Sequence, residues 1–449
     1  MWSDALRRSH DIAVAAWIAR RSRRDATCSC RADSVHGTCV ALLVAVLMLV
    51  WPVAASAVDG SSVDAPGLTA GPFITDAGLV WESPHGFVLT NSRRGSTVLA
   101  PLDAPNRADH PDLAWFGLDW WAIARPEGVF AGRIGGPIRK LPLLGKCNPA
   151  TTPEAEMVQY AISGHHLYAA LPKGCLARRS APSGELVDFD LRSHRSHVLT
   201  PMPGTLDYIA ASGKYLALAY WRSPQRPRTE RRLLVRVLND TTGAVANQIR
   251  PPPTISGNVR SSMPSGVQVD DLGDVLVTKG SCGEPPGPRL AHVAQPYRPP
   301  PEWWWARAGS KVGHRTQLGN DAVLSHGRVA FFTAGDCVFG LPGSPGGTIE
   351  VKNLLAGLTR TVVVFSGSLA AQGLALSSNR LAWAQESTVF SVVRGVNPGG
   401  GSFEECGYVP LSPVELASAD LRHVPSTPVV FRGAPVPPQY ANEPPCLIA

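Results

Sequence analysis

The residues of this chain best suited to chemistry stand in small polar clusters between short apolar stretches. His194-Arg195-Ser196-His197 sets two imidazoles three residues apart. That spacing shares a face on a helix but not on a strand or turn, so a metal pair is not expected there. His165 and His166 are adjacent and fall on opposite faces of a strand, one of them at the surface. Asp270, Asp271 and Asp274 surround Gly273. Asp favours such a turn for its own backbone hydrogen bonds, and the three lack the regular oxygen spacing of an EF-hand calcium loop. No Gly-x-Ser-x-Gly elbow occurs anywhere in the sequence. Carboxylate pairs for glycoside hydrolysis cannot be assigned, because spacing along a repeat says nothing about distance in space. Catalytic residues are therefore left unassigned, and neither a cofactor nor a metal is expected.

Two stretches look suited to binding. Tyr297-Arg298-Pro299-Pro300-Pro301-Glu302-Trp303-Trp304-Trp305-Ala306-Arg307 reads as a loop. Successive side chains of a strand alternate faces, so Trp303, Trp304 and Trp305 cannot all enter one core. Either one of them, flanked by Arg298 and Arg307, stacks on a sugar ring or sits at a membrane interface, or the loop folds back and buries them. The second stretch, 222–236, carries Arg226 and Arg228 among six arginines opposed only by Glu230. Either it attracts an anionic envelope polymer or phospholipid surface or it is a solvated hairpin tip.

The elements that must position these residues are repeats. The phrases Gly78-Leu79-Val80-Trp81, Trp120-Trp121-Ala122-Ile123, His166-Leu167-Tyr168-Ala169, Lys214-Tyr215-Leu216-Ala217, Asp274-Val275-Leu276-Val277, Arg328-Val329-Ala330-Phe331 and Arg380-Leu381-Ala382-Trp383 recur at intervals of 42 to 60 residues. Blade units of about 40 to 50 residues have this period. Five phrases follow Gly164, Gly213, Gly273, Gly327 or Asn379, the residue types that take positive φ most cheaply in a tight hairpin. Each phrase therefore reads as the second strand of a hairpin. Later strands follow in Leu186 to Leu191, Leu234 to Asn239 and Ile349 to Asn353, with Gly243 and Gly357 as turns. Four short strands per unit predict an all-β fold, a β-propeller of seven four-stranded blades, with six or eight as alternatives because the second unit is poorly written, and with an irregular sandwich or two small β domains as the competing architecture.

Val269-Asp270-Asp271-Leu272-Gly273-Asp274-Val275-Leu276-Val277 resembles the Asp-x-x-Gly hairpin of NHL-like propellers, and the phrase from Asn353 to Gly357 resembles TolB-like ones. The resemblance covers 73–433 and implies a ring around a central channel. It carries no catalytic residue across.

Residues 1–57 stand apart. Arg20, Arg21, Arg23, Arg24 and Arg31 precede an apolar run from Val40 to Val53, and Ala55-Ser56-Ala57 follows. This is the order of a secretory signal cleaved after Ala57, with a membrane anchor over 39–58 as the alternative. Residues 58–72 read as a linker and 434–449 as a Pro-rich tail. The leader holds seven Arg and four Asp, so three of the seven net positive charges leave with it. The remaining charge of about +4 is not gathered on a nucleic-acid-binding module, and no such partner is expected. Six cysteines remain: Cys147, Cys175, Cys282, Cys337, Cys406 and Cys446. An even number in an exported chain suggests three disulfides. Repeat position favours Cys282 with Cys337, and chain proximity favours Cys147 with Cys175 and Cys406 with Cys446.

These features lead to an exported, monomeric propeller that binds a protein or polysaccharide at the cell envelope. A polysaccharide lyase or glycoside hydrolase, or a membrane-anchored sensor, are the alternatives.

Overall fold

The computed structural model describes residues 61–66, 68, 70–84, 86–91, 95–101, 113–142, 147, 158–176, 184–202, 205–222, 232–252, 264–279, 302–333, 346–396, 402–423 and 427–441. Every recurring phrase forms the second strand of an antiparallel sheet: Leu79–Ser83, Trp120–Arg125, His166–Pro172, Tyr215–Arg222, Val275–Lys279, Arg328–Phe332 and the start of Arg380–Val396. With the strand before and the two after, these make blades one to six over 70–101, 113–140, 159–201, 205–249, 264–316 and 320–366. Blade seven takes Leu369–Ser377, Arg380–Val396 and Glu415–Asp420, and its fourth strand is Ser61–Asp64 from the other end of the chain. The chain is a seven-bladed β-propeller.

The turn glycines hold the conformations that the phrases require. Gly164, Gly213, Gly327 and Gly273 have φ of 55°, 55°, 70° and 85°, which lets the chain reverse without a Cβ clash. In blade seven the left-handed position falls on Ser378, at φ 46°, rather than on Asn379.

The boundaries differ from the sequence reading. Residues 58–72, expected as a linker, contain the closing strand Ser61–Asp64, which pairs antiparallel with Glu415 to Ser418. Ser-Ser-Val-Asp has one apolar residue, as suits an outer strand, and its partner lies at the far end of the sequence. The expected tail is tied in at its first residue: the Ala434 N–H donates to Ser387 Oγ at 2.8 Å and its carbonyl accepts from Ser368 Oγ at 2.6 Å. Val429–Arg432 adds a parallel fifth strand to blade six, and the second strand of blade seven runs on to Val396 in a hairpin with Ser402–Pro410.

Among the described residues, the buried apolar side chains fall into clusters at the seven junctions between neighbouring blades. This arrangement reassigns the tryptophans. They lie on the third strand of blade five, Glu302–Ala306, not in a loop. Trp304 packs among Val235, Val277 and Ile249 toward blade four. Trp303 and Trp305 pack with Leu324 and Phe331 toward blade six. Strand alternation does separate the rings, but a blade has a core on each face, so the ring that leaves one core enters the next. Trp303 also donates its indole N–H to the Gly319 carbonyl at 3.1 Å.

Trp304→Ala is expected to lower unfolding stability by about 3–5 kcal/mol, the range for deleting a buried aromatic. Trp305→Ala should cost clearly less, because its ring is only partly buried. Urea midpoints of the two variants check the order; a reversed order would contradict this packing.

Candidate binding site on the turn face of blades two and three

The turn after the third strand has one design in three blades. In blade three it runs from Asp190 to His194, in blade four from Asn239 to Gly243, and in blade six from Asn353 to Gly357. The opening side chain accepts two backbone N–H bonds: Asp190 from Arg192 and Ser193 at 2.8 and 3.2 Å, Asn239 from Thr241 and Thr242 at 3.2 and 3.0 Å, Asn353 from Leu355 and Ala356 at 3.0 and 2.9 Å. The closing residue returns its N–H to the opening carbonyl at 2.8 to 3.0 Å. Its φ is left-handed: 57° at His194 and 66° at both Gly243 and Gly357. Glycine suits that position, and a Cβ there costs about 1–2 kcal/mol. Blade three alone of these three places a side chain on it.

Behind this turn lies a polar cluster. His166 Nδ1 is 2.9 and 3.0 Å from the two carboxylate oxygens of Asp188, whose side chain is only 2% exposed, and His197 Nδ1 is 3.8 Å away. The rings of His165 and His166 are 4.2 Å apart, and His165 Nε2 is 3.9 Å from Asp190. Tyr168 donates its hydroxyl to Asp240 of blade four at 3.4 Å. Burial pushes the Asp188 carboxyl up, with His166 pulling the other way. Burial also lowers His165, helped by the neighbouring His166 and Arg192 charges. The Tyr168 phenol is raised by burial and by Asp240 and Asp188. Asp188 is thus a buried acceptor holding two strands of its blade together, not a base open to solvent. Asp190 differs: burial works against its charge, but the Ser193 hydroxyl, the N–H groups of Arg192 and Ser193, and His165 hold it down to about 2.

In front of the turn is a cleft of about 340 Å³ between blades two and three. Trp120 and Leu141 from blade two and Leu191 from blade three form apolar walls, while Arg133, Arg139, Arg192 and His194 line it with cationic and N–H donor groups. Asp119 lies 4.0 Å from Arg133 and offsets part of that charge. An aromatic wall with several arginines suits an anionic ligand bearing a flat apolar face.

The binding residues singled out from sequence lie elsewhere. Trp303, Trp304 and Trp305 are core or partly core. Arg307 is exposed just after their strand, whereas Arg298, Arg226 and Arg228 fall outside the described residues. Cys147 and Cys175 are buried in the junction of blades two and three in disulfide geometry, with Cα atoms 5.0 Å apart. Cys406 lies in the strand Ser402–Pro410; Cys282, Cys337 and Cys446 fall outside the described residues, as does the possible anchor 39–58. His194 and His197 do not converge: one lines the cleft and the other faces Asp188. The Asp270 oxygens accept from the N–H groups of Leu272, Asp274 and Gly327, and Asp274 accepts from Ala308. Those carboxylates build turns and a blade junction. Sequence reasoning missed the cleft because its arginines come from two blades. The signal available was His194 standing where other units have glycine.

No family model matches this sequence, and no curated protein matches it. Solved structures match at the level of fold. Tricorn protease aligns at 10% identity with a TM-score of 0.41, covering 81% of this chain and 36% of that one. The β-propeller domain of the Trilobed protease from Pyrococcus furiosus aligns at 10% identity and 0.39, covering 78% and 95%. TolB from Acinetobacter baumannii aligns at 10% identity and 0.30, covering 70% and 75%. The blade topology itself establishes the propeller.

The turn yields a pH prediction. A free Asp titrates near about 4, so the depressed Asp190 carboxyl adds stability above that pH and loses it as pH falls through about 2. Asp190→Asn keeps the turn, as Asn239 and Asn353 do. The stability difference between wild type and this variant should therefore be larger at pH 6 than at pH 2, where it shrinks toward zero. Asp190→Ala should lose about 1 kcal/mol at pH 6 for the missing turn bonds. Urea midpoints at the two pH values check both.

Proposed function

We propose that this chain is an exported binding module that recognises a polysaccharide or protein at the cell envelope. The observation that carries the reading is the cleft between strands of blade two and a turn of blade three, with three arginines and an exposed histidine beside an aromatic wall. Rigid sheets holding ligand-contacting turns are the usual division of labour in binding scaffolds. Export is supported by the basic, apolar and small-residue order of residues 1–57. The placement of Cys147 against Cys175 agrees with it, since such bonds persist in oxidising compartments.

The test uses the full chain expressed with its leader. The recovered protein is expected to begin near Val58, to carry oxidised cysteines by intact mass, and to co-sediment with isolated envelope polysaccharide or envelope protein without degrading it. An intact leader with free thiols would overturn export. Depolymerisation of the polysaccharide would replace binding with catalysis.

A further inference from the structure

Four described side chains sit at left-handed φ, on His194, Asp321, His326 and Ser378, and of these His194 is the one that lines the cleft. The same five-residue turn closes with Gly243 in blade four and Gly357 in blade six, all three with φ between 57° and 66°. A Cβ added at Gly357 would meet nothing within 4 Å, so that position tolerates a side chain in space and only the backbone conformation opposes it. At Gly243 a Cβ would also press on the Leu199 backbone. Blade three sustains the unfavourable conformation, and the side chain it gains lines the cleft beside Arg192. Strained residues of this kind gather where a side chain must be aimed.

The cleft's chemistry says what it is aimed at. Arg139 comes from the fourth strand of blade two and Arg192 from the turn of blade three. Arg133 shares its charge with Asp119. The Asp190 carboxylate, the nearest acidic group on the turn, is already occupied by the N–H groups of Arg192 and Ser193 and by the Ser193 hydroxyl. Two guanidinium groups and an imidazole N–H thus face one space beside the Trp120 ring. Guanidinium groups match planar carboxylate and tetrahedral phosphate oxygens. An indole wall matches the flat C–H face of a pyranose ring.

We propose that the cleft between blades two and three is a binding site for an acidic saccharide, in which Arg139, Arg192 and His194 hold the carboxylate or phosphate group and Trp120 takes the face of the sugar ring. This rests on the binding-module reading and names the ligand class for the same site. His194 is a specificity residue kept at a cost in stability.

The experiment titrates the full chain, as recovered from its expression host, with a glucuronic acid tetrasaccharide, a glucose tetrasaccharide and inorganic phosphate, alongside thermal unfolding of each variant. The acidic tetrasaccharide is expected to bind, to weaken as salt rises, and to be outcompeted by phosphate only weakly. His194→Gly should melt no lower than wild type yet bind roughly tenfold more weakly, the order expected for one hydrogen bond to a charged group. Gly357→His, which installs the same strain in blade six, should melt lower and bind as wild type. Arg139→Glu with Arg192→Glu should abolish binding while still unfolding cooperatively. Equal binding of the glucose tetrasaccharide, displacement by phosphate alone as effective as by the acidic sugar, or undiminished binding by His194→Gly would overturn the assignment. Envelope association that survives the double charge reversal would place the envelope ligand on another face and sink this inference alone. Acidic-sugar binding without envelope association would sink only the envelope reading.

Discussion

A blade of this protein is a four-stranded sheet that is apolar on both faces, and such a sheet cannot stand alone in water. Val80, Ala122, Leu167, Leu216, Val275, Val329 and Leu381, one on each second strand, are fully or almost fully buried. Each needs a neighbouring blade to cover it, as repeat units generally do. The requirement ends only when the ring closes. Closure is made by Ser61–Asp64 completing blade seven, and by Ala65, Leu79 and Trp81 packing against Ala382, Ala384 and Leu416. The first-to-second-strand turns reinforce the same ring from one side. Asp76 donates its N–H to the Leu118 carbonyl at 2.9 Å, Ser163 reaches Gly213, and Asp270 accepts from Gly327 at 2.6 Å. Ser325 accepts from Ser378, and Arg380 donates to the Thr75 carbonyl at 3.0 Å, crossing the junction where the two ends of the chain meet.

This constraint explains what could be read in advance. The second strands were legible because they combine a fixed turn with a short, wholly apolar stretch, as in Gly213-Lys214-Tyr215-Leu216-Ala217. Both signals are local, and both come from covering a sheet on two sides. The same constraint explains two misreadings. The Trp303 to Trp305 run looks like a surplus of aromatics when one core is imagined, and is ordinary when the strand lies between two. Ser61–Asp64 was unreadable as a strand because its apolar content is one valine and its partner lies at the opposite end of the chain. Non-local pairing leaves little local trace.

The cleft was less legible for a related reason. Its groups arrive from the fourth strand of blade two and a turn of blade three, and nothing in the sequence brings Arg139 beside Arg192. The more conspicuous arginines, around Arg226 and Arg228, lie together in the sequence, but clustering along a chain is a weak guide in a ring whose neighbouring turns meet across blades. What the sequence did hold was the register of the turns. Once Asp190, Asn239 and Asn353 are recognised as equivalent openings, His194 falls opposite two glycines.

That contrast separates the two kinds of polar residue on this face. Asp188, Asp270 and Asp274 are buried, and the hydrogen bonds they accept join strands or blades. Removing one leaves an N–H group of a neighbouring strand or blade without its acceptor, a buried one in the case of Gly327, so their presence follows from the fold. His194 donates its backbone N–H to Asp190 as any residue could, and glycine would make the same bond with less strain. Its ring has an edge contact with Phe189 but otherwise lies exposed. A side chain that the turn disfavours, at the mouth of a cleft whose other wall is arginine and tryptophan, is better explained by what enters the cleft than by what holds the blade.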